Sequence, residues 1–129
     1  MLSLDTHIVV ALLDGSLSKA EERCVASEEL GISGIVLWEL SKLVQLGRLE
    51  FDFDATAFLN FMRAVTVFPI SLPIARKSTQ LDFRSDPADE IIAATAIIEN
   101  APLLTRDRRI LRSKLVPFAK NAARPVGRS

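Results

Sequence analysis

Four carboxylates in this chain stand where solubility alone does not explain them. Asp5 ends the apolar run Met1-Leu2-Ser3-Leu4, and Asp107 comes two residues after the apolar segment Pro102 to Thr105. Glu39 lies between Trp38 and Leu40 in a hydrophobic stretch, and Asp89 sits just inside the helix-start signal Asp86-Pro87. Gathered in one pocket, four such groups would repel one another, and some would stay protonated unless a divalent cation neutralised them. Hard oxygen ligands with room for water select Mg²⁺ or Mn²⁺ over zinc. A site of that kind suits phosphodiester hydrolysis, in which the ion offsets phosphate charge and lowers the pKa of a bound water. No protein nucleophile is needed for that chemistry, and the chain offers few: no tyrosine, one histidine, one cysteine and no glycine-rich phosphate loop.

Each carboxylate also has an ordinary reading. Asp107 can cap the helix that follows it, and Asp86 with Asp89 can form a capping arrangement at a helix start that also suits the helix dipole. Glu39 needs a partner near an apolar stripe, which a metal, Lys42 or a water-facing rim would each supply. For Asp89 the metal reading is favoured. Ala93 and Ala96 share its helix face, and small residues let a helix lie close to a sheet, which turns Asp89 toward the strand ends. Asp86 is then the cap, Thr6 the cap of the first helix, and His7 a surface residue.

The elements that must position these groups alternate between strand and helix. Met1 to Leu4 reads as a short strand ending at Asp5, followed by helices to Asp14 and from Ser18 to Glu29. Ile32 to Ile35 reads as a short buried strand, and Val36 to Gly47 carries apolar residues at the three-and-four spacing of a core-facing helix. Further helices are expected over Asp54 to Ala64, Leu72 to Leu81, Pro87 to Asn100 and Asp107 to Ser113, with strands over Thr66 to Ile70 and Pro102 to Thr105. Leu115 to Phe118 is expected as an edge strand. This order implies an α/β fold with a mostly parallel sheet and helices on both faces. In such sheets the ligand site lies at the carboxyl ends of the strands, where Asp5 and Asp107 fall.

The 129 residues, 49% hydrophobic and 25% charged, suit one domain over residues 1–120, with a loose tail over residues 121–129. No apolar run approaches the roughly 20 residues of a membrane span, and the first residues hold no basic leader. A cytoplasmic protein is expected. Cys24 has no partner for an intramolecular disulfide and reads as a small helix residue. The formal net charge of zero conceals an uneven distribution. Residues 1–54 hold ten acids against four bases, a net of −6, whereas residues 106–129 hold eight bases against Asp107 alone, a net of +7. The second segment could hold a polyanion or could simply be solvated.

The placed residues resemble a known family. Leu2-Ser3-Leu4-Asp5-Thr6-His7 is similar to the opening of PIN domains. Ile32 to Leu40 with Lys42 and Gly47-Arg48-Leu49 resembles the second family block, Asp86-Pro87-Ala88-Asp89 running into Ile91 to Ala96 the third, and Leu103-Leu104-Thr105-Arg106-Asp107 the fourth. The blocks occur in the family's order. The branch most similar is the VapC-type toxins of type II toxin-antitoxin modules. That resemblance implies a PIN-like three-layer α/β/α sandwich and a Mg²⁺-dependent endoribonuclease. It further implies a homodimer held inactive by a VapB-like antitoxin, with RNA as substrate. It assigns Asp5, Glu39, Asp89 and Asp107 to the metal, gives Thr105 a role in orienting Asp107 or a water, and leaves Asp86 and Thr6 as accessories. Two alternatives stand beside it: a non-catalytic PIN scaffold that binds RNA or a protein, and a phosphoacceptor receiver domain. The receiver expects an acidic pair after the first strand, where this chain has Asp5 alone.

Overall fold

Four short strands, all paired in parallel, carry the architecture: β1 (Leu2–Leu4), β2 (Leu30–Ser33), β3 (Thr66–Phe68) and β4 (Leu103–Leu104), in the spatial order β3-β2-β1-β4. They belong to a computed structural model that describes residues 1–120; the tail expected over residues 121–129 lies outside the described residues. Seven helices connect and flank the strands among those residues: α1 (Thr6–Asp14), α2 (Lys19–Ala26), α3 (Gly34–Gln45), α4 (Thr56–Ala64), α5 (Leu72–Lys77), α6 (Pro87–Ile98) and α7 (Arg108–Leu111).

The alternating side chains of a strand point to opposite faces of the sheet, so burial of consecutive residues means that both faces are covered. Leu2, Ser3 and Leu4 are all fully buried, as is Ile32 on β2, and the result is the expected α/β/α sandwich. The core joins these strand residues to Ile8 and Val9 of α1, Val36 and Leu40 of α3, and Ile92, Ala93 and Ala96 of α6. Phe51, Phe53 and Phe58 pack edge to face on one another at 5.0–5.6 Å and close one side of it. No helix among the described residues is long and apolar enough to cross a membrane.

The chain leaves β1 in one direction, through β2 to β3, and returns to place β4 on β1's other side. The crevice of such a sheet opens at this switch of direction, beyond the carboxyl ends of β1 and β4. The next residues after those ends are Asp5 and Thr105, and the two segments are stitched by a bond from the Asp5 N–H to the Leu104 carbonyl at 3.1 Å.

Local capping chemistry moves several expected boundaries. The Ser33 hydroxyl accepts from the Ile35 N–H, which stops β2 at Ser33 and starts α3 two residues ahead of expectation. Ser18 and Glu21 form a reciprocal capping box on α2, and α2 ends at Ala26 rather than running on to Glu29. The hydroxyls of Ser78 and Thr79 turn back to the carbonyls of Ala75 and Arg76, ending α5 at Lys77. The Leu115 to Phe118 strand is reduced to a single parallel bridge between Leu103 and Phe118, because Pro117 at its centre has no N–H to give a ladder. Cys24 is buried and its thiol donates to the Lys120 carbonyl at 3.3 Å.

Candidate metal centre

Asp5 is placed by the backbone of β1 and held by its neighbours. Its side chain caps α1, with Oδ1 accepting from the Thr6 N–H at 2.8 Å, and Oδ2 accepts from the Thr105 hydroxyl at 2.6 Å. The expected cap, Thr6, is the first residue of the helix instead, and its hydroxyl is released to donate to Glu39 Oε1. Glu39 thereby faces Asp5 across the α1–α3 contact, with Oε2 left open. The exposed His7 contributes only its charge.

Asp89 arrives on the first turn of α6. Ala93, Ala94 and Ala96 are fully buried, so this helix lies close against its neighbours, as their size allows. The Ser85 hydroxyl donates to Asp89 Oδ2 at 2.7 Å, and Oδ1 stays open. The alternative capping arrangement between Asp86 and Asp89 is not made, and the expected Asp86 cap is not made by its side chain either. Asp86 occupies the N-cap position without a side-chain bond, and Glu90 reaches back to accept from the Ser85 N–H at 3.1 Å. Ser85 is the residue that the sequence reading missed. A serine four residues before a carboxylate was a signal for it, but an ambiguous one beside an Asp-Pro helix start.

Asp5, Glu39 and Asp89 each offer a carboxylate oxygen, and these oxygens lie within 4.8 Å of one another. They come from three elements widely separated in the chain. Asp107 stands outside this trio. Its Oδ1 accepts from the N–H groups of Arg109 and Ile110 at 2.8 and 3.1 Å, the cap that its position allowed. It remains near enough for its charge to act on Asp89, and it lines a cleft shared with Asp86 and Asp89. Thr105 links the two ends of the site: its hydroxyl donates to Asp5 and accepts from the Asp107 N–H at 3.0 Å. It orients Asp5 rather than the Asp107 carboxylate.

Next to Thr105, Arg106 forks onto Glu21, with Nε to Oε2 at 2.8 Å and Nη2 to Oε1 at 2.7 Å, while Nη2 also reaches the Ser16 carbonyl at 3.2 Å. This fork pins the turn between β4 and α7 to α2 and the loop before it.

The electrostatics fit a cation. Burial pushes the Asp5 carboxyl above its ordinary range, against hydrogen bonds from Thr105 and Thr6 and the charge of His7, and Glu39 adds to the rise. Asp89 is raised as well, first by burial and then by the charges of Asp5, Asp107 and Asp86, with Ser85 opposing. Carboxylates that resist ionisation next to one another are stabilised when a divalent ion shares their charge. The donors are all hard oxygens, the choice of Mg²⁺-like rather than thiophilic ions.

Fold and site together define a parallel α/β protein with an acidic, cation-suited centre at its switch point. The chain belongs to the PIN domain family, whose model matches residues 2–114. It is 29% identical over 114 residues to Ribonuclease VapC22 of Mycobacterium tuberculosis, covering 83% of this chain and 87% of that protein. Among solved structures it is similar to VapBC2 from Rickettsia felis bound to a DNA fragment from their promoter, with a TM-score of 0.68, 21% identity and coverage of 91% and 96% of the two chains. A toxin-antitoxin complex from Klebsiella pneumoniae matches with a TM-score of 0.64 at 20% identity over 87% of this chain and 91% of that one. These two likenesses speak for the fold. Family membership removes the receiver-domain alternative.

Proposed function

We propose that this chain is a Mg²⁺-dependent endoribonuclease and the toxin of a toxin-antitoxin pair. The observation that carries the reading is the trio of carboxylate oxygens within 4.8 Å of one another at the sheet's switch point. Similarity to a ribonuclease and to toxin-antitoxin complexes supports it. Asp5, Glu39 and Asp89 would hold the cation, with Asp107 at the rim beside Asp89. When bound, Mg²⁺ or Mn²⁺ would offset charge on the scissile phosphate and favour the hydroxide form of an attacking water. The chain's own contribution is orientation. Thr105 and the Thr6 N–H fix Asp5, the Thr6 hydroxyl fixes Glu39, and Ser85 fixes Asp89, so no carboxylate must reorganise as the reaction proceeds. The partners in this reading are RNA, a VapB-like antitoxin and a second copy of the chain, and the compartment is the cytoplasm.

The test is RNA cleavage by the purified protein freed of antitoxin. Cleavage should require Mg²⁺ or Mn²⁺, stop with EDTA, and be lost in Asp5→Asn and Asp89→Asn. Activity retained in either variant overturns the assignment. Asp107→Asn keeps the α7 cap, since Asn caps as well as Asp; a loss of cleavage without a loss of stability would show that its charge is used at the site.

A further inference from the structure

The cleft beside the carboxylates has two signs of charge. Asp86, Asp89 and Asp107 line it together with Arg108, Arg109 and Arg112. All three arginines are exposed. Among the described residues the ion pairs join the N-terminus to Glu28 and Arg106 to Glu21, and neither involves these three. Arg109 makes one long bond, 3.5 Å to the Arg84 carbonyl. Arg108 and Arg112 are four apart at a helix of only four residues, where like charges on one face repel.

A cleft that presents carboxylates and guanidinium groups outside any ion pair side by side matches a ligand that brings a cation and an anion together. Phosphate beside a divalent metal is such a ligand. Guanidinium groups suit phosphate because their planar fork donates two parallel hydrogen bonds. The Asp107 cap sets where the arginines fall, since α7 starts at the cap and carries Arg108, Arg109 and the following Arg112 along the cleft.

We propose that Arg108, Arg109 and Arg112 form a phosphate-gripping wall that seats the RNA backbone on one side of the scissile bond. This rests on the ribonuclease reading for its substrate, but its geometry does not depend on turnover. The wall contacts backbone phosphate and so adds affinity and register without reading base identity.

The test compares wild-type protein with R108A/R112A, R108K/R112K and a control, R48A/R63A, whose arginines do not line the cleft. Binding of a fluorescent single-stranded RNA is measured by anisotropy in EDTA across a salt series, and cleavage kinetics are measured with Mg²⁺. Two lost phosphate contacts should flatten the slope of log Kd against log salt by about 1.4 in R108A/R112A, at about 0.7 per contact for single strands. KM should rise roughly tenfold while kcat changes far less, as the loss of charge-assisted contacts predicts. R108K/R112K should keep the slope, and R48A/R63A should match wild type. An unchanged slope and KM in R108A/R112A overturns the proposal, as does a change confined to thermal stability, which would make the arginines counter-charges for the carboxylates. Normal RNA binding with loss of antitoxin capture overturns it too, in favour of a protein partner. Arginine-dependent RNA binding without any cleavage by wild type would leave the wall standing and remove the ribonuclease reading.

Discussion

Replacing Glu21 by Gln tests whether the fork that anchors the site's last turn is electrostatic. Glu21 is 2% exposed, and its two oxygens receive both arms of Arg106 and the Ser18 N–H. The hydrogen bond from Arg106 is the main reason its carboxyl falls from 4.5 to about 2, against a burial cost of opposite sign. At about 1.36 kcal/mol per pKa unit, that fall corresponds to roughly 3 kcal/mol of preference for the charged folded form. Arg106 is 45% exposed on its side chain, so solvent screening reduces the usable stabilisation to about 2 kcal/mol. Glutamine keeps the volume and one acceptor for the Ser18 cap but gives up the charge. Urea unfolding at pH 7 should therefore show Glu21→Gln about 2 kcal/mol less stable, with Tm lower by roughly 8 °C. As pH falls, the unfolded carboxyl takes up its proton first, near 4.5, and the folded one only near 2. The stabilisation is complete above about pH 5, falls to less than half by about pH 3 and is lost as pH drops through the folded value near 2, so the two proteins should converge only near pH 2. An equal gap at pH 7 and pH 3 would refute the charge argument, and a gap below about 0.5 kcal/mol at pH 7 would refute the fork as an anchor.

Two further outcomes follow from the centre. The raised Asp89 pKa means that the folded state resists ionising a group the unfolded state ionises freely, so this carboxyl costs stability as pH rises through its folded pKa and contributes no difference below the unfolded value. In EDTA above pH 7, Asp89→Asn should melt higher than wild type by a few degrees, and adding Mg²⁺ should raise Tm in wild type alone; a Mg²⁺ shift that survives in the variant would contradict metal binding at Asp89. Thr6→Val keeps the shape of the first α1 residue and removes the donor to Glu39. Its metal-dependent activity should fall roughly 10- to 100-fold, the usual cost of losing an outer hydrogen bond to a ligand, and a fall under twofold in a Mg²⁺ titration would remove Thr6 from the site.

Part of this protein is determined locally and was legible in the chain alone. The apolar run to Asp5 followed by a helix, the Asp86-Pro87 start and the small face of α6 are short-range signals, and they placed Asp5 and Asp89 at the mouth of a parallel sheet. Hydroxyl chemistry at element ends was only half legible. Ser18 marked the start of a helix, but its capping box with Glu21, the Ser33 cap that shortens β2 and the Ser78 and Thr79 turns that end α5 were not legible in the chain. Thr6 and Thr105 were expected to act, but on other partners than Glu39 and Asp5, and Ser85 was not expected to act at all. Each hydroxyl could bond to its own backbone or to a distant partner, and only the folded chain shows which one is in reach: Glu39 is 33 residues from Thr6, and Asp5 is 100 from Thr105.

Glu39 and Asp107 mark the boundary most clearly. Sequence placed both beside apolar segments and left a ligand or an ordinary role open for each. The crossing of α1 and α3 brings Glu39 to Asp5, while the turn after β4 directs Asp107 Oδ1 to its own helix and leaves the residue at the rim of the trio. A residue's type and neighbours in sequence determine what it can bond to. Which of those bonds is made depends on distances of a few ångströms between segments far apart in the chain, and packing of the core decides those distances.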